Sequence, residues 1–353
     1  MKTAVTALTK KGSELAVRIG KETSAKVFIK PEFIAKAQVL DNNPDIAAID
    51  GNFTDFAGSL LENYDAVIFI MACGIVVRAI APFIRSKAVD PAVVVMDEKG
   101  QYAISLLSGH LGGANALAET LAGITGGKPV ITTATDVNGV LAFDLFAQQN
   151  DLAIENIDDL KHISSALVNG GIVGLYSELG ITGELPENVK LLENLSEEAI
   201  KTVVAVSNRT LEFPQDSKIL CLRPRNLILG LGCKRGTSKE SIRRAVESFM
   251  QLNKISRRSI KCIATADIKK DEQGISDYCS EQGLELRIIN REEIKKVEHI
   301  YSASDFVRSS TGVSSIAEPS AVLAGANARL ICKKTAYNGI TLALAEEEKE
   351  LYI

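Results

Sequence analysis

The sequence is poor in aromatic residues and in metal-binding residues. Among 353 residues there is no tryptophan, and aromatic side chains make up only 5%. A flat ligand therefore cannot rely on a wall of stacked rings. The chain has only three histidines, and its six cysteines include no Cys-x-x-Cys pair. Since zinc sites are built mainly from these two residue types at close spacing, the sequence predicts no metal site.

Neither charge sign is in large excess. The chain has 40 Lys and Arg against 44 Asp and Glu, which gives a formal net charge of −4. Proteins that bind nucleic acid usually carry a basic surplus, so we expect no nucleic-acid partner. Apolar residues make up 46% and charged residues 24%. These shares are typical of globular proteins and exclude disorder for the bulk of the chain.

Long hydrophobic runs are also absent. The longest, Ala66 to Val77, lies between Asp65 and Arg78 and is well short of the roughly 20 residues that a membrane-spanning helix needs. We interpret it as a buried strand entering a turn. The N-terminal segment reaches charged lysines at positions 10 and 11 before a signal-peptide core can develop. We therefore expect a cytoplasmic protein without membrane association.

Short apolar runs alternate with amphipathic stretches toward both ends of the chain. The polar turn from Asp97 to Gly100 suits a hairpin between two strands. The stretch from Val140 to Leu222 is less regular and is expected to form a smaller module. This pattern favours an α/β protein with two layered-sheet domains and a smaller central module between them. The predicted domains are residues 1–138, 139–223 and 224–353.

Three glycine-rich loops follow apolar segments and precede predicted helices, where free backbone N–H groups bind anions. The first loop pairs residues 73–78 with residues 107–115. His110 in this loop is a candidate acid or base near neutral pH. The alternative is structural: Ser108 caps the helix and the glycines permit close packing. No aspartate follows at a spacing typical of a Ser-His-Asp triad.

The second loop runs from Gly230 to Thr237 and departs from both common nucleotide-binding fingerprints. Lys234 and Arg235 stand at a helix start, where cations oppose the helix dipole. An anionic ligand would explain them, and plain solvation is the alternative. The segment from Thr237 to Glu240 is typical of a capping box, which gives Thr237 a structural role.

The third loop, residues 309–315, gathers small hydroxyl residues around Gly312 and forms another cradle that tolerates anions. Ser315 and Glu318 have the spacing of a capping box. The functional alternative makes Glu318 a general base or a ligand contact.

The three loops resemble those of one enzyme family. Residues 71–78 (MACGIVVR) and 107–115 (LSGHLGGAN) resemble the N-terminal domain of the cobalt-precorrin-5A hydrolase (CbiG-type) family. Residues 230–237 (GLGCKRGT), 265–269 (TADIK) and 310–321 (STGVSSIAEPSA) look like its C-terminal domain. The motifs occur in the same order, so the resemblance covers most of the chain, although the middle region carries little motif evidence.

The resemblance implies a hydrolase of the anaerobic, early-cobalt-insertion route to cobalamin (vitamin B12). Such an enzyme opens the δ-lactone of cobalt-precorrin-5A and releases the two-carbon C20 unit as acetaldehyde, giving cobalt-precorrin-5B. Cobalt would arrive inside this tetrapyrrole substrate, so no cofactor is expected. The alternatives are a non-catalytic carrier of corrinoid intermediates and a tetrapyrrole methyltransferase of the same pathway, although no matching methyl-donor loop is found. A homodimer is left open.

Lactone hydrolysis gives these loops chemical roles. The reaction needs a base to activate water, donors for the tetrahedral oxyanion, and an acid or base for carbon–carbon cleavage. His110 and Glu318 are the predicted proton-transfer residues. Loop N–H groups and cations are expected to bind the carboxylates of the macrocycle, with the N–H groups of Gly109, Gly112 and Gly113 as oxyanion donors. The predicted substrate contacts are Gly74, Arg78, Ser108, Gly109, Gly112, Gly113, Asn115, Gly232, Lys234, Arg235, Gly236, Thr311, Gly312, Ser314 and Ser315.

Overall fold

The computed structural model describes residues 1–40, 45–86, 89–195, 200–214 and 216–353. The chain divides into two compact units, Met1–Leu145 and Phe146–Ile353. Both units combine sheets with helices, so the predicted α/β class is confirmed. The three domain boundaries stay a prediction. Within the described ranges, no helix is both long and apolar enough to cross a membrane.

The first unit is built on a seven-stranded sheet. Its strands are β1 (Thr3–Ala7), β2 (Lys26–Ile29), β3 (Ile46–Ala48), β4 (Ala66–Ile70), β5 (Ala92–Met96), β6 (Tyr102–Leu107) and β7 (Lys128–Val130). The helices are α1 (Lys10–Thr23), α2 (Pro31–Leu40), α3 (Phe53–Asn63), α4 (Cys73–Ile80), α5 (Ala114–Thr125), α6 (Ala134–Val137) and α7 (Phe143–Gln149), the last of which continues into the second unit. The strand order is β3-β2-β1-β4-β5-β6-β7, and every pair is parallel except β5 with β6.

The apolar run that begins at Ala66 contains both a strand and a helix. Every residue of β4 is buried, as expected for a parallel strand that is covered on both faces. The predicted turn after this strand is wrong, because α4 begins at Cys73. Its residues Val76, Ala79 and Ile80 recur at helical spacing and pack against one face of the sheet.

The hairpin between β5 and β6 is confirmed. Asp97 organises its turn, because one carboxylate oxygen accepts the N–H of Lys99 at 2.9 Å and the other accepts the N–H of Tyr102 at 2.8 Å. Gly100 has a φ of +67°, a left-handed conformation that glycine adopts readily. The hairpin reverses the chain, so that β6 runs against β5 and in the same direction as β7.

The second unit contains two five-stranded sheets and a short two-stranded pair. Its strands are β8 (Leu152–Ile154), β9 (Val173–Ser177), β10 (Gly180–Thr182), β11 (Val189–Leu192), β12 (Thr202–Val206), β13 (Lys218–Pro224), β14 (Leu227–Cys233), β15 (Ile260–Ala266), β16 (Glu285–Ile289), β17 (Arg329–Tyr337), β18 (Ile340–Glu346) and β19 (Glu350–Tyr352). Its helices are α8 (Leu160–Val168), α9 (Lys239–Leu252), α10 (Gln273–Gln282), α11 (Arg291–Val297), α12 (Asp305–Thr311) and α13 (Ala317–Leu323). The sheet orders are β11-β9-β12-β13-β8 and β16-β15-β14-β18-β17, and β10 pairs with β19.

The stretch that the sequence marks as less regular contains a five-stranded sheet. The strands β8, β9, β11, β12 and β13 cover it, and they are mostly parallel. Several of them span only three to five residues. Runs this short show little periodicity, which explains why the sequence pattern does not reveal the sheet.

Candidate active site

The two segments of the first glycine-rich loop lie at opposite ends of the strands of the seven-stranded sheet. The side where β4 and β5 end is called the carboxyl edge. Ile70 at the end of β4 pairs with Met96 at the end of β5, and Cys73 follows just beyond this carboxyl edge. Because β6 is antiparallel, Leu107 at its end pairs with Val93 near the amino end of β5. The prediction that these segments form one loop pair is therefore wrong.

Gly74 and Arg78 contact each other at the carboxyl edge. The guanidinium of Arg78 donates from Nη1 to the carbonyl oxygen of Gly74 at 2.7 Å, within the same helix. Two of the predicted substrate contacts are thus separated from the edge that carries His110.

The loop before α5 wraps around the start of that helix. The carbonyl oxygen of Ser108 accepts the N–H of Ala114 at 3.1 Å, and that of Gly109 accepts the N–H of Asn115 at 3.0 Å. The Ser108 hydroxyl donates to the carbonyl oxygen of Asp90 at 2.9 Å. Ser108 therefore ties the loop to the start of β5. The structural alternative expected it to cap the helix, and this is wrong.

The glycines of this loop differ in what their N–H groups do. The N–H of Gly113 donates to the carbonyl oxygen of His110 at 2.9 Å, so it is not open as an oxyanion donor. The N–H groups of Gly109 and Gly112 make no hydrogen bond to another described residue. A Cβ on Gly112 would lie 2.5 Å from the Cβ of Ser108, so close approach of the backbone requires glycine there. Two of the three predicted oxyanion donors remain open.

His110 is held between two aspartates of the same unit. Its Nδ1 lies 3.1 and 3.2 Å from the two carboxylate oxygens of Asp144, and its Nε2 lies 2.6 Å from Oδ2 of Asp136. The hydroxyl of Thr135 lies 3.3 Å from the same Nε2. The side chains of His110 and Asp144 are 8% and 13% exposed, whereas that of Asp136 is 33% exposed. Asp136 is the end of this cluster that solvent reaches.

The two aspartates keep the imidazole charged. Hydrogen bonding to Asp144 is the largest influence and, together with Asp136 and against the opposing effect of burial, raises the pKa of His110 from 6.5 to about 9. Burial acts to raise the pKa of Asp144, but the hydrogen bond and the charge of His110 outweigh it and lower that pKa. His110 is therefore an imidazolium at neutral pH, with both N–H groups directed at carboxylates. This state does not suit a neutral base, and since carboxylates hold both N–H groups, the proton-transfer role of His110 stays a prediction.

Asn115 connects the helix to this cluster. Its Nδ2 donates to Oδ2 of Asp136 at 3.0 Å and to the hydroxyl of Thr133 at 3.3 Å, while its Oδ1 accepts the hydroxyl of Ser105 at 2.6 Å. Asn115, a predicted substrate contact, thus positions the exposed aspartate.

Sequence reasoning missed Asp136 and Asp144. They follow His110 by 26 and 34 residues, and no spacing rule connects them. The available signal was the polar segment from Thr132 to Asp136, directly after an apolar run. The chain returns there to the edge of the sheet where the His110 loop lies.

The second and third loops meet in the second unit. A Cβ on Gly230 would lie 1.9 Å from the carbonyl oxygen of Ala317, and one on Gly232 would lie 3.6 Å from the Cβ of Ile316. The end of β14 therefore packs directly against the start of α13. Gly232 and the loop of Ser314 and Ser315 lie in one region, as a shared binding surface requires.

Residues of the second loop are engaged with the protein. Ser238 and not Thr237 caps α9, because its hydroxyl accepts the N–H of Ser241 at 3.3 Å. The Thr237 hydroxyl instead donates to the carbonyl oxygen of Lys234 at 2.6 Å. The predicted capping residue is therefore wrong by one position.

One N–H group of the second loop already donates to a carboxylate of the protein. The N–H of Gly236 donates to Oε2 of Glu272 at 2.9 Å, and the other oxygen of Glu272 pairs with Lys269 at 2.9 Å. Burial alone would raise the pKa of Glu272, but the Gly236 N–H and the charges of Lys269 and Arg235 lower it. Arg235 is exposed and the Lys234 side chain passes over Gly339.

Residues of the third loop are mostly tied to each other. The Thr311 hydroxyl donates to the carbonyl oxygen of Val307 at 2.7 Å, and Gly312 ends α12 with a φ of +79°. The N–H of Ser314 donates to Glu298. The hydroxyl of Ser315 is buried and has no hydrogen-bond partner in the described part of the chain.

Glu318 is 1% exposed and holds two backbone segments. Its Oε2 accepts the N–H of Ser302 at 3.2 Å, and its Oε1 accepts the N–H of Lys334 at 3.1 Å. The expected Ser315–Glu318 capping box is wrong, because α13 begins at Ala317 without a side-chain cap. This geometry fits a positioning residue, and the role of Glu318 in proton transfer stays a prediction.

The cysteines form no reactive or metal-binding group that the structure describes. All six are free, and burial raises the pKa of Cys262 and of Cys279 to about 11, so these thiols stay protonated. Within the described ranges, no three His, Cys, Asp or Glu side chains gather as a metal site would require.

Comparison with known proteins gives matches over nearly the whole chain. Profiles described as Cobalamin synthesis G N-terminal, Cobalamin biosynthesis central region and Cobalamin synthesis G C-terminus match residues 55–136, 141–224 and 227–345. A cobalt-precorrin-5A hydrolase of Priestia megaterium is 33% identical and covers 97% of this chain and 94% of its own. The Salmonella typhimurium enzyme of the same name is 35% identical, with 84% and 86% covered. A probable cobalt-precorrin-5A hydrolase of Methanocaldococcus jannaschii is 33% identical, with 81% and 87% covered.

Proposed function

This chain belongs to the cobalamin synthesis G family, and we propose that it catalyses the reaction for which its curated relatives are named, the hydrolysis of cobalt-precorrin-5A. It is a hydrolase of cobalamin biosynthesis. Its partner is then a small tetrapyrrole and not a nucleic acid, and its place of action is the cytoplasm. We propose no cofactor beyond the cobalt that the substrate carries. A homodimer remains open to measurement.

The proposed reaction consumes one water molecule and releases one acetaldehyde. Water adds to the lactone carbonyl, and the bond between the acyl carbon and the ring oxygen breaks. The ring oxygen stays on C20 as an alcohol, and the acyl group becomes a carboxylate. The alcohol then loses its proton as the bond between C20 and the macrocycle breaks. The electron pair of that bond stays on the macrocycle, and the two-carbon unit leaves as acetaldehyde. Both steps need a proton acceptor close to an oxyanion-stabilising group.

The Asp144–His110–Asp136 cluster is the observation that carries this assignment. Two carboxylates and one imidazolium leave the cluster with one net negative charge. Asp144 is buried against Nδ1, so Asp136 is the member that can reach a substrate. We assign Asp136 as the base that takes a proton from water and from the C20 alcohol. His110 holds Asp136 in place and supplies the positive charge beside it.

The loop around His110 offers donors for the oxyanion. The N–H groups of Gly109 and Gly112 belong to the same loop and are unused within the described part of the chain. A backbone N–H fixed in a loop needs no reorganisation when charge develops on the lactone oxygen. This gives Gly109 and Gly112 the role that was predicted for three glycines.

The second unit supplies candidate contacts for the carboxylates of the macrocycle. Lys234 and Arg235 lie on the second loop, and Ser314 and Ser315 lie on the adjoining third loop. Cations bind carboxylates through charge-assisted hydrogen bonds. Arg78, on the first unit, is a further candidate, although its guanidinium is folded onto its own helix.

Turnover of the cobalt lactone tests this function. Incubation of the full chain with cobalt-precorrin-5A is expected to release stoichiometric acetaldehyde. The summed masses of the product macrocycle and acetaldehyde should exceed the mass of the lactone by one water. Tight binding with an unchanged lactone would instead identify a carrier. A gain of one methyl group with an added methyl donor would identify a methyltransferase. Either of these two outcomes contradicts the proposal.

A further inference from the structure

The second unit contains a cavity of about 670 Å³ that the proposed reaction does not use. It opens beside the amino ends of β14 and β15, near Arg225 and Ile260. Lys234 and Arg235 follow β14 at its carboxyl end. The cavity is therefore separate from the second and third loops.

The cavity is positively charged in a chain that is negatively charged overall. Four cationic and two acidic side chains line it, a surplus of two positive charges, whereas the whole chain carries −4. The cationic residues are Arg225, Arg257, Arg258 and Lys261, and the acidic ones are Glu155 and Glu247.

The acidic residues of the cavity are already neutralised. Glu155 pairs with the buried Arg223, and Glu247 lies 3.1 Å from Nη1 of Arg257. Arg225 and Arg258 form no ion pair with any residue that the structure describes, and the guanidinium of Arg258 donates to the carbonyl oxygen of Ile154. Their charge is available to a ligand.

Tyr278 adds a hydrogen-bonding side chain to the cavity wall. Its side chain is 1% exposed and lines the cavity, yet its hydroxyl makes no hydrogen bond to a residue in the described ranges. The hydroxyl oxygen is not fully shielded from solvent, so a ligand in the cavity can reach it. The charged groups that act on this phenol include Arg257 and Glu247, which line the same cavity.

A second large cavity of this unit does not share these properties. It measures about 900 Å³, and its charged lining is balanced at three cations and three carboxylates. These residues are Arg209, Lys254, Arg329, Glu178, Glu212 and Glu346. Cavity size alone therefore does not distinguish the charged site.

We propose that the 670 Å³ cavity binds an oxyanion that carries two or more negative charges, through Arg225, Arg258 and the hydroxyl of Tyr278. Such a group has two sources: the carboxylates of a macrocyclic intermediate, which rests on the proposed function, and free phosphate, which does not. Guanidinium groups bind both through paired N–H donors.

Calorimetric titration of the full chain tests the site without any turnover. Butane-1,2,3,4-tetracarboxylate and inorganic phosphate serve as probes, in separate titrations at constant ionic strength. The double substitution Arg225→Gln and Arg258→Gln is expected to weaken binding of the preferred probe at least tenfold, and Tyr278→Phe is expected to weaken it about fivefold, as the loss of one hydrogen bond predicts. The control is Arg244→Gln, which removes one positive charge from an exposed arginine of α9 that has no ion pair within the described ranges, and it is expected to leave binding unchanged.

Each result decides between stated alternatives. Tighter binding of the tetracarboxylate identifies the macrocycle as the source, and tighter binding of phosphate identifies the free ion. If neither probe gives a heat of binding at concentrations on the order of 10 mM, the proposal is overturned. Equal weakening in Arg244→Gln also overturns it, because the effect would then reflect net charge alone. Since no lactone is turned over, none of these results depends on the hydrolase assignment.

Discussion

Oδ2 of Asp136 lies 2.6 Å from Nε2 of His110, and the other oxygen of Asp136 has no hydrogen-bond partner in the described part of the chain. One side of this carboxylate is therefore fixed by an imidazolium and the other is open. A carboxylate held in this way keeps its orientation while it remains able to accept a proton. In the proposed mechanism, His110 positions the carboxylate and Asp136 accepts the proton.

Replacement of Asp136 by Asn tests this division of roles. An amide cannot accept the proton, so acetaldehyde release is expected to fall by about 10²- to 10⁴-fold. The control is Asp55→Asn, on the exposed side of α3, which should retain full activity. Far-ultraviolet circular dichroism confirms that both variants are folded. A loss of less than threefold in Asp136→Asn would contradict the assignment.

The charge of His110 can be observed directly. Because the chain has only three histidines, the variants His162→Gln and His299→Gln identify the three imidazole signals in a proton NMR titration. The His110 signal is expected to titrate at about pH 9. In Asp144→Asn its pKa should move down, since the hydrogen bond that contributes most to the shift is lost. A wild-type midpoint near 6.5 would show that the imidazole is not held as a cation.

The same shift makes stability depend on pH. The folded-state pKa of about 9 lies above the unfolded value of 6.5, so the stabilisation is complete below about pH 6.5 and is lost as the pH rises through 9. A shift of this size corresponds to about 3 kcal/mol at most. Urea unfolding of wild type and His110→Gln at pH 6 and pH 9.5 measures it, and the stability difference between them should shrink at the higher pH. A constant difference would refute the linkage.

Glu318→Gln distinguishes positioning from proton transfer. In the wild type, both carboxylate oxygens of Glu318 accept a backbone N–H. In the variant, the amide nitrogen faces one of these N–H groups, so that two donors meet and the free energy of unfolding is expected to fall by about 1–3 kcal/mol. Activity of the folded variant should stay within tenfold of wild type. Glu293→Gln, on the surface of α11, is the matched control. An activity loss of a hundredfold or more without loss of stability would restore the predicted proton-transfer role.

Gly230→Ala tests the contact between the second and third loops. The new Cβ would lie 1.9 Å from the carbonyl oxygen of Ala317, so α13 must move and stability should fall by about 3 kcal/mol or more. Gly123→Ala is the matched control, because nothing lies within 4 Å of the corresponding Cβ in α5. That substitution should stabilise the protein by roughly 0.5–1 kcal/mol. Equal effects in thermal unfolding would show that the loops do not touch.

The sequence was informative where a pattern is local. The alternation of apolar and amphipathic segments predicted the α/β class, and the Asp97–Gly100 turn predicted a hairpin, because both depend on neighbouring residues. The helix starting at Cys73 was missed, since a continuous apolar run fits a strand and a helix equally well. The cap of α9 was misplaced by one residue, to Thr237 beside Ser238, and the cap expected at Ser315 does not form.

The candidate site was only half visible from the sequence. His110 was selected because histidines are rare in this chain and glycines surround it. Asp136 and Asp144 were not, since folding and not spacing brings them to the imidazole. The separation of Gly74 from His110 was equally hidden, because it depends on the direction of one strand.

The reversal of β6 has an evolutionary consequence for the first unit. In open sheets of parallel strands, ligands usually bind where the strands end, so the opposite edge is free to serve stability alone. Here a single hairpin delivers the histidine loop to the edge where the parallel strands start. Mutation can therefore change the loops that follow β1 and β4 without disturbing the groups around His110. The two ends of the strands in one sheet can then acquire different functions independently.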